Sequence, residues 1–168
     1  MKPLPTHQRV KALLDYDPAT GVFTWRETVR GRNTVAGAVA GCVSQKTGYR
    51  SVGIDGGKQR ANRLAWFWMT GQWPERLVDH ENGVKNDDRW DNLRHATKGQ
   101  NNSNSRLKSN NRSGYKGVVY RKSMGKWTAQ ITVKRMHKHL GTFDTPEAAH
   151  AAYVSAANRD HGEFARPA

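Results

Sequence analysis

The chain has 168 residues, enough for one ordinary domain or two small ones, and at 36% hydrophobic it can fill small cores rather than one large one. Twenty-eight Lys and Arg against 14 Asp and Glu give a net charge of +14 and a pI near 10.3, which points to a polyanionic partner, most often nucleic acid. The single cysteine, Cys42, excludes an internal disulfide and a cysteine-built zinc site. No apolar run approaches the roughly 20 residues of a membrane span, and the opening MKPLPTHQRVKALL lacks the apolar core of a signal peptide. The expectation is a soluble protein of a reducing cytoplasm with no membrane partner.

Charge is uneven along the chain. Residues 1–76 carry 12 basic and 5 acidic residues, residues 77–112 carry 7 and 5, and residues 113–168 carry 9 and 4. The middle stretch is the least basic, so most electrostatic affinity for a polyanion belongs to its flanks.

In chain order, HQRVKALL (7–14) places Val10, Leu13 and Leu14 on one helical face. The turn signals of Asp17-Pro18 and Thr20-Gly21 lead into a strand over Val22–Trp25. Residues 27–47 read as a loop with a short strand around Gly41–Val43. Tyr49–Ile54 alternates like a half-buried strand, Asp55-Gly56-Gly57 turns, and Lys58–Ala61 returns. Arg63–Thr70 is a helix with Leu64, Phe67 and Trp68 inward, stopped by Gly71 and Pro74. Its aromatic residues have helical spacing, which favours core packing over base stacking.

Leu77–His80 and Leu93–Ala96 read as two short strands around a polar loop that turns at Asn82-Gly83. Thr97 caps a helix that starts at Lys98 and carries Asn101 one turn in. Residues 101–113, NNSNSRLKSNNRS, cannot form a core and read in their later part as a basic linker. Beyond it, Tyr115–Lys122, Lys126–Arg135 and His137–Phe143 are three strands. In the second, Trp127, Ala129, Ile131 and Val133 alternate with Thr128, Gln130, Thr132 and Lys134. Thr145-Pro146-Glu147 starts a helix whose Ala149, Ala152, Tyr153 and Ala156 lie on one face. Three strands covered by one helix leave a polar sheet face, a natural groove reader on a basic module.

Phosphodiester hydrolysis needs a base for water and a cation for the charge that grows on the phosphate. The adjacent Asp79 and His80, followed by Asn92 and Asn101, supply an imidazole, a carboxylate and two carboxamides. A carboxylate with a carboxamide oxygen suits a hard cation such as Mg²⁺. An isolated Asp-His pair on a polar loop is usually an accident; here the two Asn residues follow in strand–strand–helix settings.

V-D-H-E-N-G, D-N-L-R-H-A-T and Q-N-N together resemble the HNH endonucleases, in the phage and intron-homing branch whose third motif position is Asn. The resemblance implies a ββα-metal fold, one Mg²⁺ or Mn²⁺ per active site held by Asp79 and Asn101, His80 as general base, and Asn92 as the residue that holds the loop and orients His80. The upstream Y-D-P-x-T-G and R-L-A-W pieces resemble the same phage enzymes. Many of these have His before R-L where this chain has Asn62, to which no role is assigned.

Y-K-G-V, G-K-W-T-A-Q-I and H-L-G-T-F-D-T-P-E-A-A resemble the plant ethylene-response-factor (APETALA-two) DNA-binding domain, whose sheet enters the major groove. That resemblance implies Lys116, Arg121, Gln130, Thr132, Lys134, His137 and His139 as DNA-facing residues. Val119, Thr132 and His139 depart from the basic plant pattern, so the plant target is not transferred.

The expected fold is α+β. An HNH domain with a β-rich N-terminal part covers residues 1–105, with its motif at 77–104. A basic linker follows at 106–112, and a three-stranded antiparallel sheet on one helix at 113–168. The expected activity is a metal-dependent nicking DNA endonuclease, phage- or mobile-element-encoded, acting as a monomer on double-stranded DNA in a bacterial cytoplasm. The alternatives are a non-catalytic DNA-binding regulator with a remnant HNH fold, and an RNA-binding or structure-specific nuclease.

Overall fold

The computed structural model describes residues 3–28, 34–107 and 110–166. Parts of the expected 27–47 loop (29–33) and of the linker (108–109) lie outside the described residues. The chain forms two compact units, Met1–Ala96 and Thr97–Ala168.

The first unit opens with helix α1 (His7–Leu13), whose N-terminus is capped by Thr6 Oγ1 accepting from the Arg9 amide. Strands β1 (Leu14–Asp17) and β2 (Val22–Trp25) form a hairpin with Asp17 opposite Val22. The Asp17 carboxylate accepts from the Ala19 amide and the Thr20 hydroxyl, and so closes the turn. A three-stranded sheet, β3 (Cys42–Val43), β4 (Arg50–Ile54) and β5 (Gly57–Arg60), leads directly into helix α2 (Ala61–Thr70). This helix starts two residues before the expected Arg63. Gly71 ends it in the left-handed conformation that an L-side chain resists, at φ 74°.

Val10, Leu14, Phe23, Val52, Leu64 and Phe67 form the buried core of this unit. The aromatic residues of α2 pack as the helical spacing implies. Phe67 stacks on Trp73 at 4.2 Å and Trp66 on His95 at 3.8 Å, although Trp68 is only partly buried. His7 is half-buried beside Phe67 and bonds the Trp68 carbonyl. Strands β6 (Leu77–His80) and β7 (Leu93–Ala96) close the unit as an antiparallel pair with Asp79 opposite Arg94 and His80 opposite Leu93.

The second unit begins with helix α3 (Lys98–Ser103), where Thr97 and Gln100 form a reciprocal capping box. Strands β8 (Val118–Arg121), β9 (Lys126–Val133) and β10 (Met136–Phe143) form an antiparallel sheet in the order β10-β9-β8. Helix α4 (Pro146–His161) covers one face, setting Ala149, Tyr153, Ala156 and Ala157 against Val118, Ala129 and Ile131. The architecture is the expected α+β: a mixed N-terminal region and a C-terminal three-stranded sheet packed on a helix.

Two strand ends of the second unit lie furthest from the sequence reading. β8 begins at Val118 because Gly117 turns at φ 74° with its backbone against the Tyr153 ring, leaving no room for a Cβ. β9 stops at Val133 because Lys134 and Arg135 both take positive φ (48° and 70°), the geometry of a tight hairpin that matches strand twist. A bulge in β10 sets Leu140 and Gly141 opposite Ala129 alone, so that Leu140 turns into the core while His139 keeps the opposite face.

Candidate active site

His80 is 3% exposed, and its Nε2 lies 2.9 Å from Oδ1 of the equally buried Asp88. A carboxylate only accepts, so the ring nitrogen that faces Asp88 is the donor of this contact. Asp88 was not singled out in the sequence. It is seated by the first hairpin: the Tyr16 hydroxyl donates to the Asp88 carbonyl at 2.7 Å, and the Trp90 amide donates to the Pro18 carbonyl. Gly21, at φ 71°, lies so close to the Asp88–Arg89 backbone that an added Cβ would come within 2.3 Å of it. Burial together with nearby acids pushes the Tyr16 phenol well above its usual range, which keeps it a donor. The Y-D-P-x-T-G segment is thus a seat for the partner of His80.

Asn92 is buried and ties the ends of the loop. Its Oδ1 accepts from the Asn82 amide at 3.0 Å and its Nδ2 donates to the Asp87 carbonyl at 2.7 Å. Asp87 accepts two bonds from Arg89, at 2.8 Å each, and one from Asn82. The Arg89 hydrogen bonds lead the causes that bring the Asp87 carboxyl down to about 2. Asp79 is 5% exposed, with Oδ2 at 3.3 Å from Arg94 Nε. Buried Asn62 donates to the Val78 carbonyl at 2.8 Å, anchoring α2 to the strand that carries Asp79. Asp79, His80 and Asn92 therefore lie on one strand pair and its loop. Asn101 lies on α3, and the unit boundary falls between Ala96 and Thr97.

In the second unit Arg121, Gln130, Thr132, His137 and His139 occupy the sheet face opposite α4. Gln130 pairs with His139 and Thr132 with His137, and Thr132 Oγ1 is 2.9 Å from His137 Nδ1. Lys134 sits in the hairpin turn rather than on that face. Lys116 is drawn inward. Its ammonium donates to the carbonyls of Ser103 (2.6 Å), Ser105 (2.8 Å) and Arg166 (2.9 Å), and burial pushes it down to about 8. Its three donors are spent on backbone, which alternation alone does not reveal.

Residues 59–103 match the HNH endonuclease family, and residues 113–162 match the AP2 domain. Protein 3.8 of Escherichia phage T7 is 31% identical over 109 residues, covering 64% of this chain and 88% of that protein. The chain belongs to the HNH endonuclease family. It joins an HNH unit to an AP2 DNA-binding domain, a combination of nuclease and DNA-binding type. The HNH match extends through both β6 and β7 and the whole of α3. Among the described residues, no helix is long and apolar enough to cross a membrane.

Proposed function

We propose that this HNH protein is a divalent-metal-dependent DNA endonuclease that nicks one strand, with His80 as general base and the AP2 sheet as the element that selects the site. The observation that carries the reading is the buried His80–Asp88 contact, which orients an imidazole inside the matched motif. A ring held in one orientation is suited to general-base work on water. Asn92 fixes the loop that delivers Asp88, so it serves His80 at one remove.

HNH proteins typically work with a divalent ion. Among the described residues, no set of three or more His, Cys, Asp or Glu side chains is gathered to hold a metal, so an all-protein cage does not fit. The donor chemistry of Asp79, a buried carboxylate, and of Asn101, a carboxamide, both inside the family match, suits a single Mg²⁺ or Mn²⁺ that keeps most of its water. When bound, such an ion neutralises charge growing on the phosphate and the leaving oxygen. Asp79 would be kept in place by Arg94 and by the Asn62 anchor on its strand.

On the AP2 sheet, Arg121, Gln130, Thr132, His137 and His139 are the proposed DNA-facing set. Their shared face supports this, while Lys116 and Lys134 stand off it. A reader on the same chain raises the local concentration of the cutting unit near its site. With a single centre per chain, a monomer makes one cut per visit. The likeness to a phage protein supports action inside an infected bacterial cell.

Supercoiled plasmid incubated with the protein and Mg²⁺ tests the proposal. The parent converts it to open circles, EDTA stops the reaction without releasing DNA, and His80→Ala binds DNA but does not nick. Nicking by His80→Ala at the parental rate removes the general-base assignment. Binding without any metal-dependent nicking by the parent makes the protein a DNA-binding regulator.

A further inference from the structure

Three cation- or ring-bearing side chains that the catalytic reading leaves unused converge beside His80. The Tyr49 ring centroid is 5.9 Å from that of His80. The Arg60 guanidinium carbon lies 4.3 Å over the same ring and the Lys85 ammonium 5.2 Å over it. They come from three separate segments: Tyr49 just ahead of β4, Arg60 at the end of β5, and Lys85 in the loop that also carries Asp88. Lys85 is further placed by a 3.0 Å bond to the Thr47 carbonyl, and its stem passes against Gly48.

The two cations repel each other, yet both are held at one ring. Arg89 and Arg94 in the same neighbourhood are paired with carboxylates. For Arg60 and Lys85 there is no carboxylate partner among the described residues, and both side chains are exposed. An exposed cation–π contact is weak and leaves the charge in place, so the ring holds this pair without neutralising it. A guanidinium packed over a ring still has N–H donors to offer, and its fork suits a phosphate.

We infer that Tyr49, Arg60 and Lys85 form a backbone-phosphate site that holds the DNA strand next to the bond being cut. The ligand is a phosphodiester of that strand, because two unneutralised cations at one ring match an anion, and phosphate and sugar take half or more of protein–DNA hydrogen bonds. The inference rests on His80 as the reacting centre for its location, but the existence of the phosphate site does not depend on catalysis.

The test uses the full chain. Arg60→Met/Lys85→Met is measured for DNA affinity across a salt series and for nicking at saturating Mg²⁺. The slope of log affinity against log salt should fall by about 0.9 for each cation removed, and kcat/KM should fall at least tenfold. A second arm uses parental protein with substrates that carry one uncharged methylphosphonate at successive positions around the cut. Neutralising the phosphate adjacent to the cut should reproduce the loss seen in the double variant, and should add little when combined with it. This arm decides the matter if the double variant is misfolded. His80→Ala separates the two readings: it should stop nicking and leave the salt slope at the parental value. If it nicks normally while the double variant still lowers the slope, the general base is wrong and the phosphate site stands. An unchanged slope and rate in a folded double variant, or methylphosphonate effects that simply multiply with it, would overturn the proposal.

Discussion

Replacing Asp88 with leucine probes the feature that most directly shapes the proposed base. Its Oδ1 is the 2.9 Å partner of His80 Nε2, in a contact where both residues are at most 3% exposed. Leucine keeps the volume and removes the acceptor. The stranded Nε2–H would cost about 1–3 kcal/mol. Against this, the substitution also removes Asp88 Oδ2, a buried carboxylate oxygen with no hydrogen-bond partner among the described residues, whose desolvation burdens the parent. The two effects oppose each other, so folding stability should move by no more than about 2 kcal/mol. Catalysis has no such offset. The freed ring can adopt either tautomer and more than one orientation, and loss of an orienting partner on a working histidine costs about 10–100-fold. Asp88→Asn keeps an acceptor for the ring proton and should lose about tenfold or less on the same scale. Single-turnover nicking at saturating DNA and Mg²⁺ measures the rate, a salt-matched binding assay monitors affinity, and ¹⁵N chemical shifts of His80 report the tautomer. If Asp88→Leu folds, binds and nicks like the parent with an unchanged His80 spectrum, the contact does not orient the base.

Gly21→Ala would force a Cβ to within 2.3 Å of the Asp88–Arg89 backbone at a φ of 71°, so thermal unfolding should show a loss above about 1 kcal/mol and nicking should slow with it. Asp87 has a folded-state pKa of about 2, below its ordinary 3.8. Its stabilising contribution is therefore complete above pH 3.8 and lost as pH falls toward 2, amounting to no more than about 2 kcal/mol. Urea unfolding from pH 5 to pH 2 should show this decline in the parent and not in Asp87→Asn. Lys116→Met removes bonds to three carbonyls and should destabilise the second unit by about 1–3 kcal/mol while leaving the salt slope of DNA binding unchanged. A slope reduced by about one would mean that this ammonium meets phosphate.

Features that repeat along the chain were legible before the structure. The strict alternation over Lys126–Val133 and the Ala149/Ala152/Tyr153/Ala156 face marked the sheet and its covering helix, and paired short strands around Asn82-Gly83 marked the frame of Asp79 and His80. What stayed hidden depends on the path of irregular backbone. Asp88 reaches His80 only because the loop folds back and the Tyr16–Gly21 turn presses it there, and no periodic pattern encodes that. Lys134 reads as a strand residue until its positive φ is seen. Lys116 reads as a surface cation because a lysine whose ammonium is absorbed by carbonyls looks, in sequence, like any other. A second acid eight residues after His80 was the one available sign of its partner.

Helix α3 has two allegiances. By family it ends the nuclease motif, since the HNH match runs to residue 103. By packing it opens the second unit, resting near the 3-10 turn Gly162–Phe164 with its last carbonyl gripped by Lys116. Exchange of parts between such proteins therefore has a hidden seam. A chimera spliced in the polar stretch after residue 105 would carry the helix away from the surface it leans on and deliver it to a foreign domain lacking the matching lysine. A splice at Ala96–Thr97 would leave the helix at home but take the end of the HNH motif, with the proposed metal ligand Asn101, from the donor of the reader. Mixing readers and cutters is thus constrained by six helical residues that the two modules must share.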